Sequence, residues 1–142
     1  MAVQNYGSHR RFMTSYHFVT VPLLLALVVG SCVNLYNAAD TNLYSASLIC
    51  LGSIIMLSVT LHSRIFALKA QNRAICVEEN LRHFVLTGIP LDARLRMGQI
   101  IALRFAKDPE FVALARKAAE EELTNDAIKK LITDWKGDFH RV

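Results

Sequence analysis

Apolar residues run almost without interruption through 19–29 and again through 48–59. No Asp, Glu, Lys or Arg stands between Arg11 and Asp40, or between Asp40 and Arg64. Each gap exceeds the roughly 20 residues that an α-helix needs to cross a hydrocarbon core. The pattern predicts helices over 15–38 and 43–65. The connector between them, Ala39-Asp40-Thr41-Asn42, has room only for a tight antiparallel turn. The expected unit is a transmembrane helical hairpin over 15–66. A buried pair of soluble helices is the competing reading, and it is disfavoured because soluble helices rarely go so long without a charge.

Beyond the second apolar run the pattern stays helical but becomes charged. Leu61, Ile65, Leu68, Ile75 and Leu86 recur at helical spacings, with Asn72, Glu79 and Arg82 in the same seam, so a coiled coil here would be imperfect. No Gly or Pro interrupts 53–87, and Gly88-Ile89-Pro90 then stops the helix. A single helix continuing to Thr87 would project about 30 Å past a membrane surface. Shorter helices follow. One covers 93–106, with Asp92 as its cap and Leu95, Ile100, Ile101, Leu103 and Phe105 as apolar positions. Asp108-Pro109 restarts the chain as an N-cap followed by Pro at the first helical position. That helix runs to about Leu123 and buries Phe111, Val112, Leu114, Ala115, Ala118 and Ala119. Thr124-Asn125-Asp126 opens the last, which holds Ile128, Leu131, Ile132 and Trp135 and ends at Gly137. Nothing alternates with period two, so no sheet is expected. The fold class is therefore all-α: a transmembrane hairpin, a long membrane-proximal helix, and a small cytoplasmic helical domain. The parts are a cytoplasmic N-terminal segment over 1–14, the hairpin over 15–66, and a cytoplasmic tail over 67–142. A tail core of about 55 residues is marginal alone and should pack on the preceding helix or on a partner.

Composition changes the picture chiefly through where the charges lie. The chain has 142 residues, is 53 % hydrophobic, and carries a net charge of +4. Its high hydrophobic share excludes intrinsic disorder. Its three Cys exclude a disulfide-stapled secreted scaffold. All 16 Lys and Arg lie at or beyond the ends of the apolar runs, and none is in the connector. Arg10 and Arg11 precede the first run, and Arg64, Lys69 and Arg73 follow the second. The positive-inside rule then places both termini in the cytoplasm. Tyr16, Tyr36 and Tyr44 fall near the expected membrane interfaces, as does Phe66. Arg10-Arg11 superficially suggests a twin-arginine signal, but the apolar run is too long for a signal h-region and a second follows at once.

Candidate chemistry is sparse. His17 and His62 stand at similar distances from the turn and so at similar depth. Facing imidazoles there would ligate a metal or haem iron, and a single His would suit a chlorophyll-type pigment. The plainer reading is a pair of interfacial histidines bonded to headgroups, water or backbone. Cys32 and Cys50 are also equidistant from the turn, and read first as small apolar residues of a packed interface. Ala26, Gly30, Ala46, Gly52 and Ser53 give the spans small-residue faces suited to close helix contact. Asn34 is a polar group within a span and needs a partner. These six positions form the candidate partner interface. Glu78-Glu79 and Glu120-Glu121-Glu122 lie beside Arg82, Arg116 and Lys117, and read as solvated charged faces rather than acid–base pairs. No hydrolase, zinc, phosphate-loop or dinucleotide motif is present, and the tail has no basic stripe for nucleic acid.

Several segments resemble one family. They are Asn5-Tyr6 with His9-Arg10-Arg11; Tyr16-His17-Phe18-Val19 before Pro22-Leu23-Leu24; Arg64 through Lys69 with Gln71 and Arg73; Ile101 through Ala106; and Trp135 with the terminal His140-Arg141-Val142. Together they resemble the small bacterial two-span membrane proteins grouped as a domain of unknown function. That resemblance implies a bacterial inner-membrane protein with a helical cytoplasmic tail, and brings no activity, cofactor or catalytic residue.

The functional expectation is a non-catalytic accessory or scaffolding subunit of a larger inner-membrane assembly, such as a photosynthetic or respiratory complex. Its partners would be the lipid bilayer and other integral membrane subunits, with homo-oligomerisation open. One alternative is a haem-, metal- or pigment-ligating hairpin using His17 and His62. Another is a membrane-anchored regulator that binds a soluble protein through its tail.

Overall fold

The computed structural model describes residues 13–137. Arg10 and Arg11, and the terminal His140-Arg141-Val142, lie outside them. Every named element is helical: a π-helical segment Ser15–Thr20, then α1 (Val21–Tyr36), α2 (Leu43–Thr87), α3 (Met97–Leu103), α4 (Asp108–Glu120) and α5 (Asn125–Leu131). No strand occurs among the described residues, only one isolated antiparallel bridge between Ala106 and Trp135. The chain divides near residue 67 into two compact units.

In the first unit the π-helical segment leads directly into α1, where Pro22 lies in the first turn. The missing N–H of Pro costs little at that position. After Tyr36, Asn37 donates both its backbone N–H and its side-chain amide to Val33 O, at 3.1 and 2.8 Å. The connector closes with Asn42 N–H to Ala39 O at 2.8 Å. The π-helical segment and α1 together, and α2, are each long and apolar enough to cross a membrane.

The second unit is built on the distal part of α2. That helix runs for 45 residues with no break at the charged stretch. It stops where expected, at Gly88, whose φ of +78° is left-handed and whose N–H closes onto Phe84 O at 2.8 Å. Packed with it is a core of Leu95, Ala102, Leu103, Phe105, Ala106, Phe111, Leu114, Ala115, Ala118, Ala119, Ile128 and Ile132. Burying each of its larger side chains contributes about 2 kcal/mol. Gly98 lies against α5: a Cβ there would lie 2.5 Å from the Asn125 amide nitrogen, and that side chain would have to move aside.

The short helices depart from expectation in instructive ways. α3 starts at Met97 rather than 93, and Asp92 does not cap it. Asp92 instead accepts from the backbone N–H and guanidinium of Arg94, which brings its carboxyl down to about 2. The start of α3 is held by Gln99, whose Oε1 accepts from Arg96 N–H at 2.7 Å while its Nε2 donates to Leu123 O at 2.8 Å. Lys107, not Asp108, is the N-cap of α4. α4 ends at Glu120 because Glu122 turns left-handed (φ +49°), and Leu123 N–H then reaches back to Ala118 O at 3.2 Å. Thr124 caps α5 as expected, accepting from Ala127 N–H. Trp135 lies beyond α5 in an extended segment: Lys136 N–H bonds Phe105 O at 2.7 Å, and the indole packs against the Phe105 ring at 5.1 Å. Glu110 ties that segment to α4 by accepting from the Thr133 hydroxyl and from the N–H groups of Thr133 and Asp134. Partial burial works against its ionisation, but these donors outweigh it and hold the carboxyl below its ordinary value.

One side chain joins α2 to the rest of this unit. Arg82 places Nη1 on Glu79 at 2.9 Å, Nη2 on Ala106 O at 2.8 Å, and Nε on Asp108 at 2.7 Å. Its guanidinium also lies 4.2 Å from the centre of the Phe111 ring. Glu79 is buried, so the pair Glu78-Glu79 is not the wholly solvated face expected of it. Next to it, His83 is buried edge-on to Phe111 and bonds Ile89 O at 2.9 Å. Replacing Arg82 by Ala strands the buried Glu79 carboxylate and should lower stability by about 3 kcal/mol. Denaturant titration of the full chain in mild detergent, followed by Trp135 fluorescence, measures this. An unchanged midpoint would refute the role given to Arg82.

Candidate functional site: the small-residue seam between the two apolar helices

Contacts between the two apolar helices pair residues in antiparallel order. Ser31 Oγ lies 2.8 Å from Ser53 Oγ, Cys32 Sγ lies 3.6 Å from Cys50 Sγ, and the Tyr16 hydroxyl donates to Thr60 O at 3.4 Å. The buried positions of α2 in this unit are Ala46, Cys50 and Ser53, and the half-buried ones are Ser47, Gly52, Leu57, Thr60 and Arg64. On the facing helix they are Val21, Leu24, Val28, Ser31 and Leu35. Ala46, Cys50, Ser53, Leu57, Thr60 and Arg64 on α2, like the set on α1, step by three and four, the spacing of a knobs-into-holes seam. Small side chains dominate its α2 half, so the backbones approach closely. Each hydroxyl has one hydrogen, so one serine donates across the seam to the other, while that other donates to a carbonyl of its own helix, with Val28 O 2.8 Å from Ser31 Oγ and Cys50 O 2.7 Å from Ser53 Oγ. Both hydrogens are thus used, one of them across the seam.

At the opposite end Arg64 sits over the Tyr16 ring, 5.5 Å from its centre, and donates to Met13 Sδ at 3.6 Å. Lys69 and Arg73 are exposed. Tyr36 and Tyr44 flank the connector and are among the most exposed aromatic residues.

The model of the Family of unknown function DUF6526 matches residues 1–142. The chain belongs to this family. No curated protein and no solved structure matches it. A family of unknown function assigns no residue a role, so the roles of DUF6526 positions in this chain rest on geometry.

The six positions expected to form one interface separate into two sets. Ala46 and Ser53 are buried in the seam. Ala26, Gly30 and Asn34 are exposed, and Gly52 is only half-buried. A Cβ added at Gly30 or Gly52 would meet nothing within 4 Å. Neither glycine therefore serves the contact of α1 with α2. Ala26, Gly30 and Asn34 follow one another at intervals of four, which lines them along one outward face of α1.

His17 and His62 do not form a facing pair. Seam positions at their level are taken by Tyr16, Thr60 and Arg64, and His62 is exposed on the far side of α2. Each ring bonds its own helix through Nδ1: His17 to Met13 O at 3.0 Å, and His62 to Ser58 O at 2.8 Å. Among the described residues no three His, Cys, Asp or Glu gather closely enough to hold a metal ion. Cys32 and Cys50 also stand at equal distances from the turn, and these two do meet, because their sides of the two helices face each other.

Sequence reasoning did not single out His83. It lines a cavity of about 380 Å³ with Leu91, Leu95, Val112, Ala115 and Arg116. Only the return of 89–95 over α2 creates that cavity, and no local spacing signals it.

The 3.6 Å thiol contact makes the register testable. Diamide oxidation of the detergent-solubilised protein should link Cys32 to Cys50 within one chain and leave Cys76 open to alkylation. Peptide mass mapping detects the link. Alkylation of all three thiols after oxidation would show that the two helices do not meet in this register.

Proposed function

We propose that this chain is a non-catalytic integral protein of the bacterial inner membrane. It crosses the bilayer twice with both termini cytoplasmic, and serves as an accessory or scaffolding subunit of a larger membrane complex. The observation that carries the reading is how little of the two apolar segments is covered. In the most apolar window of each long helix, only 6 % and 17 % of residues are buried. Phe18, Leu23, Val29, Ile55 and Met56 all stand exposed. Contiguous apolar surface of this extent marks a lipid or protein contact, not a water-facing exterior. Lys and Arg placement supports the orientation.

The accessory role rests on the outward stripe of α1. Ala26, Gly30 and Asn34 are not consumed by the seam, and small residues at this spacing admit a neighbouring helix closely. Gentle extraction and native-gel separation, with mass spectrometry of the band, should find this chain together with other membrane subunits. Gly30→Leu should release it from them. A band that holds this chain alone, in one copy or several, would overturn the accessory role.

A second reading is favoured by one observation at His62. With Nδ1–H committed to Ser58 O, the ring's acceptor is Nε2, the atom that a haem or chlorophyll-type pigment takes as its axial ligand. His62 would then act singly rather than with His17. An absorption spectrum of gently extracted protein should carry a Soret or chlorin band that His62→Leu abolishes. A featureless visible spectrum removes this reading and leaves the first intact.

A further inference from the structure

Distal α2 has two apolar sides; the tail covers one and reaches the other only at its proximal end, where Met97 shares a shallow open pocket with Ala70 and Arg73. Ile75, Glu79 and His83 are buried and Arg82 is half-buried, all on the side that meets Phe111, Ala106 and Asp108. On the opposite side stand Ala70, Ala74, Val77, Leu81 and Phe84, every one exposed. The large members are strongly so: Val77 is 68 % exposed, Leu81 60 % and Phe84 52 %. Their steps are four, three, four and three, a strict heptad seam that ends at Gly88. Val85 beside them is 75 % exposed. We propose that this stripe is a dimerisation surface, on which a second copy of the chain packs its own stripe as a parallel two-stranded coiled coil.

The flanking charges select that occupant. With Ala70, Val77 and Phe84 in one core register and Ala74 and Leu81 in the other, Arg73 and Glu78 fall on the two shoulders of the seam. In a parallel pair a shoulder residue faces the partner's opposite shoulder five positions on, so Arg73 of each copy meets Glu78 of the other. Both side chains are exposed, and neither forms an ion pair with another described residue. Two like charges at these positions would have opposed a second copy, whereas one of each sign gives two complementary pairs by symmetry. The apolar stripe supplies the affinity, and the shoulders fix its parallel sense. This surface lies wholly on distal α2 and does not depend on the accessory role or on any pigment.

Light scattering of the full chain in mild detergent, corrected for bound detergent, tests the proposal. The native protein should have the mass of a dimer, and the Leu81→Glu, Phe84→Glu variant should have half that mass. Both substitutions fall on exposed residues, so circular dichroism should be unchanged. Arg73→Glu alone and Glu78→Arg alone should each weaken the dimer, by about fivefold in dissociation constant for two exposed pairs. The double exchange should restore it, an outcome that a general loss of folding cannot produce. In membranes, Leu81→Cys in a chain whose three native cysteines are changed to Ala should cross-link copy to copy. A monomeric native protein, a dimer that survives Leu81→Glu, Phe84→Glu, or failure of the double exchange to rescue would each overturn the proposal. So would a Leu81→Cys variant that is shielded from alkylation by vesicles or by a different protein and never cross-links to its own kind.

Discussion

The two long helices carry more apolar surface than they bury against each other. A helix pair can cover only one stripe of each member, about a third of its circumference. Here Ala46, Cys50, Ser53 and Thr60 make the α2 side of the stripe mostly small, Val21, Leu24, Val28 and Leu35 of α1 line the facing side, and most of the other large side chains point away. Ser31 and Ser53 lie at its centre, both buried, with their hydroxyl oxygens 2.8 Å apart. The remaining Phe, Leu, Ile and Val of α1 and proximal α2 have to meet something other than water. The proposed bilayer and neighbouring subunits answer that demand.

Distal α2 faces the same constraint with a different solution. Charged residues appear, and the helix can bury one side only if those charges find partners there. Arg82 meets the condition because three acceptors and an aromatic face converge on it, from Glu79 on its own helix and from Ala106, Asp108 and Phe111 after a reversal of the chain. With the buried carboxylate neutralised, Ile75 and His83 pack beside it. What remains is the opposite stripe of Val77, Leu81 and Phe84, whose flanking charges suit a second copy of the same helix.

Local chemistry explains where the fold turns, and tertiary contacts explain the departures. Gly88 and Thr124 act where their backbone preferences place them, since a left-handed turn and a hydroxyl cap are settled within a few residues. Asp92 and Asp108 look equally suited to capping, yet both are claimed by guanidinium groups. A carboxylate offered an arginine gains more from that ion pair than from an amide at a helix start. Trp135 shows the same limit at longer range. Its spacing from Ile128 and Ile132 is helical, but the stack on Phe105 and the bond from Lys136 N–H to Phe105 O draw it into an extended segment.

By itself the sequence determined the all-α class, the two charge-free runs, the unbroken helix to Thr87 and the equal distances of Cys32 and Cys50 from the turn. Each follows from composition, from helical rise, or from the count of residues to a short turn. Only the tertiary structure decided which sides of those helices face inward. The periodic seam through Leu61, Ile65, Leu68, Ile75 and Leu86 looked like the packed one, yet of these only Ile75 is buried. Distal α2 has apolar residues on two sides, so periodicity alone cannot choose between them. The choice falls to the side on which α4 and the turn before it deliver acceptors to Arg82. For the same reason His17 and His62, though matched in depth, lie on different faces: depth is a property of chain length, and facing is a property of the contact.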